Sequence, residues 1–129
     1  MTHTPATDAE EFVAELAEAL TAPTPGECVF CHCARMVGEF GCDGTLRWAR
    51  RWRDRCAPRA TALLRRFAVA GGSCDCEVLL DGWSYRDDLL TLDPDSDLLD
   101  RPLEDPPCER VRAGSARGCA PWVPRRQGW

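Results

Sequence analysis

Two short cysteine pairs, Cys28-Val-Phe-Cys31 and Cys74-Asp-Cys76, constrain what this chain can fold into more than any other feature. A C-x-x-C turn lets two sulfurs converge on one centre while backbone N–H groups donate to them. A second short pair from elsewhere in the chain completes the four-thiolate tetrahedron of a structural zinc site. C-x-C is the less common chelate of the two. The 42 residues between the pairs would then be closed into one loop, and such closure is where a metal contributes most to folding.

The expected ligands are therefore Cys28, Cys31, Cys74 and Cys76, with zinc as the cofactor and Cys42 as the alternate fourth ligand. Two competing readings keep the thiols metal-free: buried cysteines acting as small hydrophobes, or disulfides. Nine cysteines is an odd count, and the first twenty residues carry five acids and no basic n-region or apolar h-region. That stretch reads as a helix, not a signal peptide, so a reducing cytoplasmic setting is expected and metal is favoured over disulfide. No run approaches the roughly 18 apolar residues of a membrane span.

Helical periodicity organises the first two thirds of the chain. Thr7-Asp8-Ala9-Glu10 reads as a capping box, with Phe12, Val13, Leu16 and Leu20 on one face of a helix over 8–20. Thr21–Gly26 breaks it. A second helix is expected over 31–40, burying Met36, Val37 and Phe40. A third is expected over 45–55 behind an Asp43 cap, with Leu46, Ala49, Trp52 and Trp48 facing inward. A fourth is expected over 58–70, opening at Pro58 and ending at Gly71-Gly72. Glu77–Trp83 reads as a short strand or hook, with Val78 and Leu80 on one side. From Ser84 the pattern fades into an acidic, Pro-punctuated stretch and then a basic one, expected to be irregular or disordered. The organisation is an acidic N-terminal helix over 1–22, a zinc-clamped helical domain over 23–83 and a tail over 84–129. The fold class is mainly α: three to four short helices and one strand or hook.

Charge is strongly segregated. All sixteen basic residues are Arg, and eight of them fall in 47–66 beside one acid, Asp54, although the chain carries a net charge of −5. Arg47, Arg50, Arg51 and Arg55 with Trp48 form a candidate binding face, since guanidinium and indole together suit phosphate contact and base stacking. An acidic protein partner suits the same charges. The plainer reading is a solvated helix surface partly neutralised by the acidic first helix, and the overall negative charge favours it.

PTPGECVFC, EFGCDGTLRWARRWRD, APRATALLRRF and GGSCDCEVLLDGW resemble a family of short actinobacterial proteins known only as a domain of unknown function, over about residues 23–83. The resemblance implies cysteines at the positions of Cys28, Cys31, Cys42, Cys74 and Cys76, so it supports a metal site and retains Cys42 as a ligand. Cys33, Cys56 and the tail cysteines Cys108 and Cys119 depart from the pattern. It implies no activity.

Catalytic motifs fail on chemistry. His32-Cys33 resembles the start of a phosphatase loop, but the place that needs an Arg holds Glu39, which cannot bind phosphate. His3 and His32 are the only imidazoles, and His32 adjoins the cysteines it would have to serve. Asp93, Asp95, Asp97 and Glu104 have calcium-loop spacing, but Leu98 occupies the place of the required Gly. The leading expectation is a non-catalytic, zinc-stabilised domain that presents its Arg/Trp face to a partner in a regulatory setting. The alternatives are a thiol redox or metal sensor working by zinc release, and an enzyme of unknown type.

Overall fold

The computed structural model describes residues 5–100, 102 and 106–124. Its helices are α1 (Pro5–Thr21), α2 (Val29–Phe40), α3 (Arg47–Cys56), α4 (Leu63–Val69) and a short α5 (Asp75–Glu77), which continues as a π-helical turn over Val78–Gly82. Four short strands follow: β1 (Trp83–Tyr85), β2 (Thr91–Leu92), β3 (Leu99–Asp100) and β4 (Trp122–Pro124). Strands β1 and β4 pair antiparallel with Tyr85 opposite Trp122, and β2 and β3 form a separate two-stranded hairpin.

The core is built where α2, α3, α4 and the π-helical turn meet. Val29, Phe30, Cys33 and Met36 from α2 pack with Ala49 and Trp52 of α3, Leu63 and Phe67 of α4, and Val78 and Leu79. Phe30 is its aromatic centre, with ring centroids 5.4 Å from Phe67, 4.8 Å from Trp83 and 5.4 Å from Trp122. Trp52 is buried and donates its indole N–H to the Glu27 carbonyl, which satisfies the one polar atom an interior Trp must place.

The described part of the tail is mostly irregular in backbone, yet it packs against the helical domain. Cys119 and Trp122 are only 3% and 7% exposed. The Val111 N–H donates to the Gly26 carbonyl, and the Arg86 N–H to that of Pro121, which lays the tail along the α2 entry turn and beside β1. Gly118 makes this approach possible: a Cβ there would sit 2.5 Å from Phe30 Cδ2. Glu104 and the end of the basic stretch lie outside the described residues.

Several local expectations need correction. The Glu77–Trp83 hook is helical to Gly82, and Val78 and Leu79 are buried while Leu80 is exposed; a π-helical turn, not a strand, fixes that alternation. The fourth helix starts at Leu63, because residues 58–62 form turns in which Ala60 N–H bonds Ala57 O and Leu63 N–H bonds Ala60 O. Helix α1 begins at Pro5, so the Thr7 capping box falls inside it, and Phe12, Val13, Leu16 and Leu20 are exposed. Phe40 is exposed too. Asp43 closes a turn onto Thr45 instead of capping α3, whose own N-cap residue, Leu46, offers no side-chain acceptor.

Candidate metal centres

The C-x-x-C turn is built as its spacing requires. Cys28 is the N-cap of α2, and its Sγ accepts the Cys31 N–H at 3.4 Å. The two thiols that join it come from the tail. The Sγ atoms of Cys28, Cys31, Cys108 and Cys119 all lie within 4.8 Å of one another, and Cys31 to Cys119 is 3.6 Å. A zinc tetrahedron with bonds of about 2.3 Å needs sulfurs about 3.8 Å apart, so the spacing fits with small adjustments. The sulfurs also receive N–H donors. Cys108 Sγ accepts from the backbone N–H of Cys28 and of Arg110, each at 3.3 Å, and Cys31 Sγ accepts from the Trp122 indole at 3.3 Å. Arg110 holds a left-handed backbone (φ 65°) beside the ligand it serves. Such donors stabilise thiolate and orient the ligand, as outer-shell groups of metal sites do.

Crowding separates the acidities of these thiols. The hydrogen bond from Cys31 draws Cys28 down to about 5 against its burial, and the same contact, with burial, pushes Cys31 up. Burial pushes Cys119 up to about 12, aided by the neighbouring Cys28. Four thiols this close cannot all ionise by themselves; a cation in their midst reverses that.

A second cluster sits beyond the other end of α2. Cys42, in the loop after that helix, meets Cys74 and Cys76, and the three Sγ atoms also lie within 4.8 Å of one another, with Cys74 to Cys76 at 3.4 Å. Cys42 Sγ accepts the Gly44 N–H at 3.4 Å. Burial is the largest single influence on Cys42 and raises its thiol, but hydrogen bonds from Cys76, Gly44 and Cys74 together outweigh it and draw Cys42 down, while the contacts with Cys74 and Cys42 push Cys76 up to about 12. Cys42 and Cys76 are half-buried. Cys74 is buried. No disulfide is present among the described residues, and both clusters have the composition of sites that could hold a metal ion.

The expected ligand set, Cys28, Cys31, Cys74 and Cys76, is therefore split between two clusters. The physical reason is α2 itself: its twelve residues, about 18 Å long at 1.5 Å per residue, hold the C-x-x-C turn at one end and Cys42 beyond the other. Cys42 joins the C-x-C pair instead of replacing one of four. Cys33 and His32 are members of neither group. Cys33 is fully buried, its thiol is pushed up by that burial, and its Sγ lies 3.9 Å from Asp75 Oδ1. His32 is fully buried with Nδ1 3.5 Å from Glu27 Oε1.

Asp75, between the two cysteines of the C-x-C pair, does what the α3 sequence lacks. Its Oδ2 accepts the Trp48 N–H at 2.9 Å and its Oδ1 the Ala49 N–H at 3.1 Å, and its own N–H donates to the Thr45 carbonyl. Burial pushes this carboxyl up, and the two amide donors oppose that.

The arginine face is only partly open. Trp48 is 6% exposed, donates to the Gly41 carbonyl and packs on Phe40, so it is not available to stack on a base. Arg47 lies over that indole, 4.1 Å from its centroid, on the outer side. Arg51 and Arg55 both reach Glu18 of α1, at 2.9 and 3.3 Å. Arg50 is exposed.

Residues 29–81 match the model of a family described as protein of unknown function, DUF2695. This matched segment holds all three thiols of the Cys42 cluster and Cys31 of the other, while Cys28, Cys108 and Cys119 fall outside it. No curated protein and no solved structure matches the chain. Among the described residues, no helix is long and apolar enough to cross a membrane.

Proposed function

We propose that this protein is a non-catalytic, zinc-stabilised cytoplasmic domain in which Cys28, Cys31, Cys108 and Cys119 hold one structural zinc ion and α3 offers an arginine surface to an anionic partner. One observation carries the reading: four sulfurs from three separate chain segments converge within 4.8 Å, three of them already aligned by N–H donors. Zinc held there would fix all four as thiolates and close the chain between residues 31 and 108. Four protein ligands complete its coordination shell, so no water is activated and no reaction follows from the ion. The stabilisation comes from joining a tail with few core residues to the entry of α2.

The partner reading rests on charge. With Trp48 buried, contact with an anion falls to Arg47 and Arg50, and to Arg51 and Arg55 once they leave Glu18. A run of guanidinium groups suits the phosphates of a nucleic acid better than its bases.

Elemental analysis of the purified full-length chain tests the metal. Zinc should be present, and Cys119→Ser should lose about one equivalent along with thermal stability. Folded wild-type protein free of metal would falsify the proposal. Oligonucleotide binding that weakens steeply with salt tests the surface, and no binding at low salt removes the nucleic-acid partner.

A further inference from the structure

We propose that Cys42, Cys74 and Cys76 form a second metal site, distinct from the four-thiol centre, which takes a thiophilic d10 ion (Zn²⁺, Cd²⁺ or Cu⁺) through three thiolates and keeps a fourth position for a ligand from solution. Three sulfurs within 4.8 Å of one another are a sufficient soft-donor set, because thiolates select for such ions. The backbone prepares the site. Gly41 and Gly44, at φ 81° and 84°, turn the chain so that Cys42 points back at the C-x-C pair while the Gly44 N–H bonds its sulfur.

The fourth position has no protein candidate among the described neighbours. Both Asp75 oxygens accept amides of α3, as given above, and Cys33, whose Sγ lies near Asp75, belongs to neither cluster. Asp43 accepts the Thr45 N–H and hydroxyl with one oxygen, and its other oxygen lies 3.8 Å from Arg47. Cys42 and Cys76 are half-exposed, so an incoming chloride, water or small thiol reaches the ion from solvent. Binding a divalent ion releases the thiol protons to buffer and leaves the three-thiolate complex with one negative charge. An ion in an open, exposed sulfur site exchanges more readily than one in a closed shell. Its presence also reaches α3, because Asp75 lies between two of its ligands and caps that helix.

The experiment uses the full chain, stripped of metal under reducing conditions and titrated with Cd²⁺. The ultraviolet thiolate–cadmium charge-transfer band gives the stoichiometry, and cadmium NMR gives the number of sulfur ligands. Two equivalents are expected: one resonance of four-sulfur character and one of three-sulfur character, the second moving when chloride or a small thiol is added. Cys42→Ser alters a half-exposed loop side chain and should bind one equivalent, with the four-sulfur resonance retained. The amides of Trp48 and Ala49 should exchange more slowly with solvent once the second equivalent is bound. Saturation of the wild type at a single four-sulfur equivalent overturns the proposal, as does Cys42→Ser binding two. A three-sulfur resonance without the four-sulfur one supports this site and instead defeats the structural-zinc reading above.

Discussion

The Asp75 carboxylate receives the Trp48 backbone N–H at 2.9 Å, so a residue enclosed by two cluster cysteines caps a helix 27 positions earlier in the chain. The sequence of α3 explains the need. Leu46 at its N-cap has no side-chain acceptor, and Arg47 places a positive charge in the first turn, where the helix dipole disfavours it.

Asp75→Ala should therefore cost about 2 kcal/mol, a cap of two hydrogen bonds removed from a buried helix end. Asp75→Asn, which keeps one acceptor oxygen, should lose roughly half as much. Thermal melts of metal-loaded protein measure both. Equal melting temperatures for wild type and Asp75→Ala would show that α3 does not depend on this contact.

Chelation should act on the tail first. The four-thiol centre joins residues 108 and 119 to α2, and the short β1–β4 pairing alone is a weak tie. With a strong zinc chelator, or with Cys108→Ser, protease cleavage between residues 106 and 120 should speed up at least tenfold. Phe30 should lose its Trp122 contact, which a change in Trp fluorescence reports. Cleavage at the wild-type rate after metal removal would mean that aromatic packing suffices to hold the tail.

Seven of the nine cysteines sit in the two clusters, leaving Cys33 and Cys56. Cys33 is fully buried and burial pushes both thiols up, so neither is a ready nucleophile at neutral pH. Protein with both centres filled should react with a thiol reagent at only one position, the half-buried Cys56, and slowly. Metal-free, denatured protein should react at all nine. Mass mapping of the adducts identifies the sites, and rapid modification of Cys31 or Cys76 in metal-loaded protein would contradict the assignments.

Much of the helical architecture is legible in the sequence. Met36, Ala49, Trp52, Leu63 and Phe67 recur at helical spacing and are buried where that spacing puts them. The grouping of cysteines is not, because it depends on tertiary placement. A helix between Cys31 and Cys42 separates them, and no local pattern tells which distant thiol meets which. The tail thiols carry the weaker signal of all. Cys108 and Cys119 lie eleven positions apart in a stretch poor in core formers, and only Gly118 and Trp122 hint that this stretch packs. Gly118 matters because Phe30 fills the space of its missing Cβ, a fact of the folded state alone. The turn at 78–82 eluded periodicity for a related reason: a π-helical turn follows neither the 3.6 nor the 2 repeat.

Glu27 lies next to the first ligand and holds three partners. Its carboxylate bonds Arg35 through Nη2 at 2.9 Å and Nε at 3.1 Å, the Thr24 N–H at 3.1 Å, and faces His32. Burial alone raises its pKa, but His32, Arg35 and the Thr24 amide together bring it down to about 2. A carboxyl whose folded value lies below its unfolded one near 4.5 stabilises the fold above that pH. The contribution fades as pH falls toward 2. Glu27→Gln should thus cost about 2 kcal/mol at neutral pH, moderated by the partial exposure of Arg35. The difference between variant and wild type should shrink progressively below pH 4.5 in denaturant titrations. A gap that is constant with pH would assign the loss to shape, not charge.

Glu18 restrains the arginine surface. Its carboxylate holds Arg51 at 2.9 Å and Arg55 at 3.3 Å, and its backbone carbonyl takes a third guanidinium bond from Arg51. These contacts are about half exposed and contribute little to stability, on the order of 0.5 kcal/mol. They set charge availability more than they set the fold. Glu18→Ala should leave the melting temperature nearly unchanged while tightening binding to a short polyanionic oligonucleotide severalfold at low salt. The salt slope should steepen by up to the two guanidinium charges released. Trp48→Phe should not change that affinity, because the indole it replaces is covered by Arg47 and Phe40 and never meets the ligand. Affinity that falls with Trp48→Phe and ignores Glu18→Ala would reverse this order and place base stacking, not phosphate contact, at the surface.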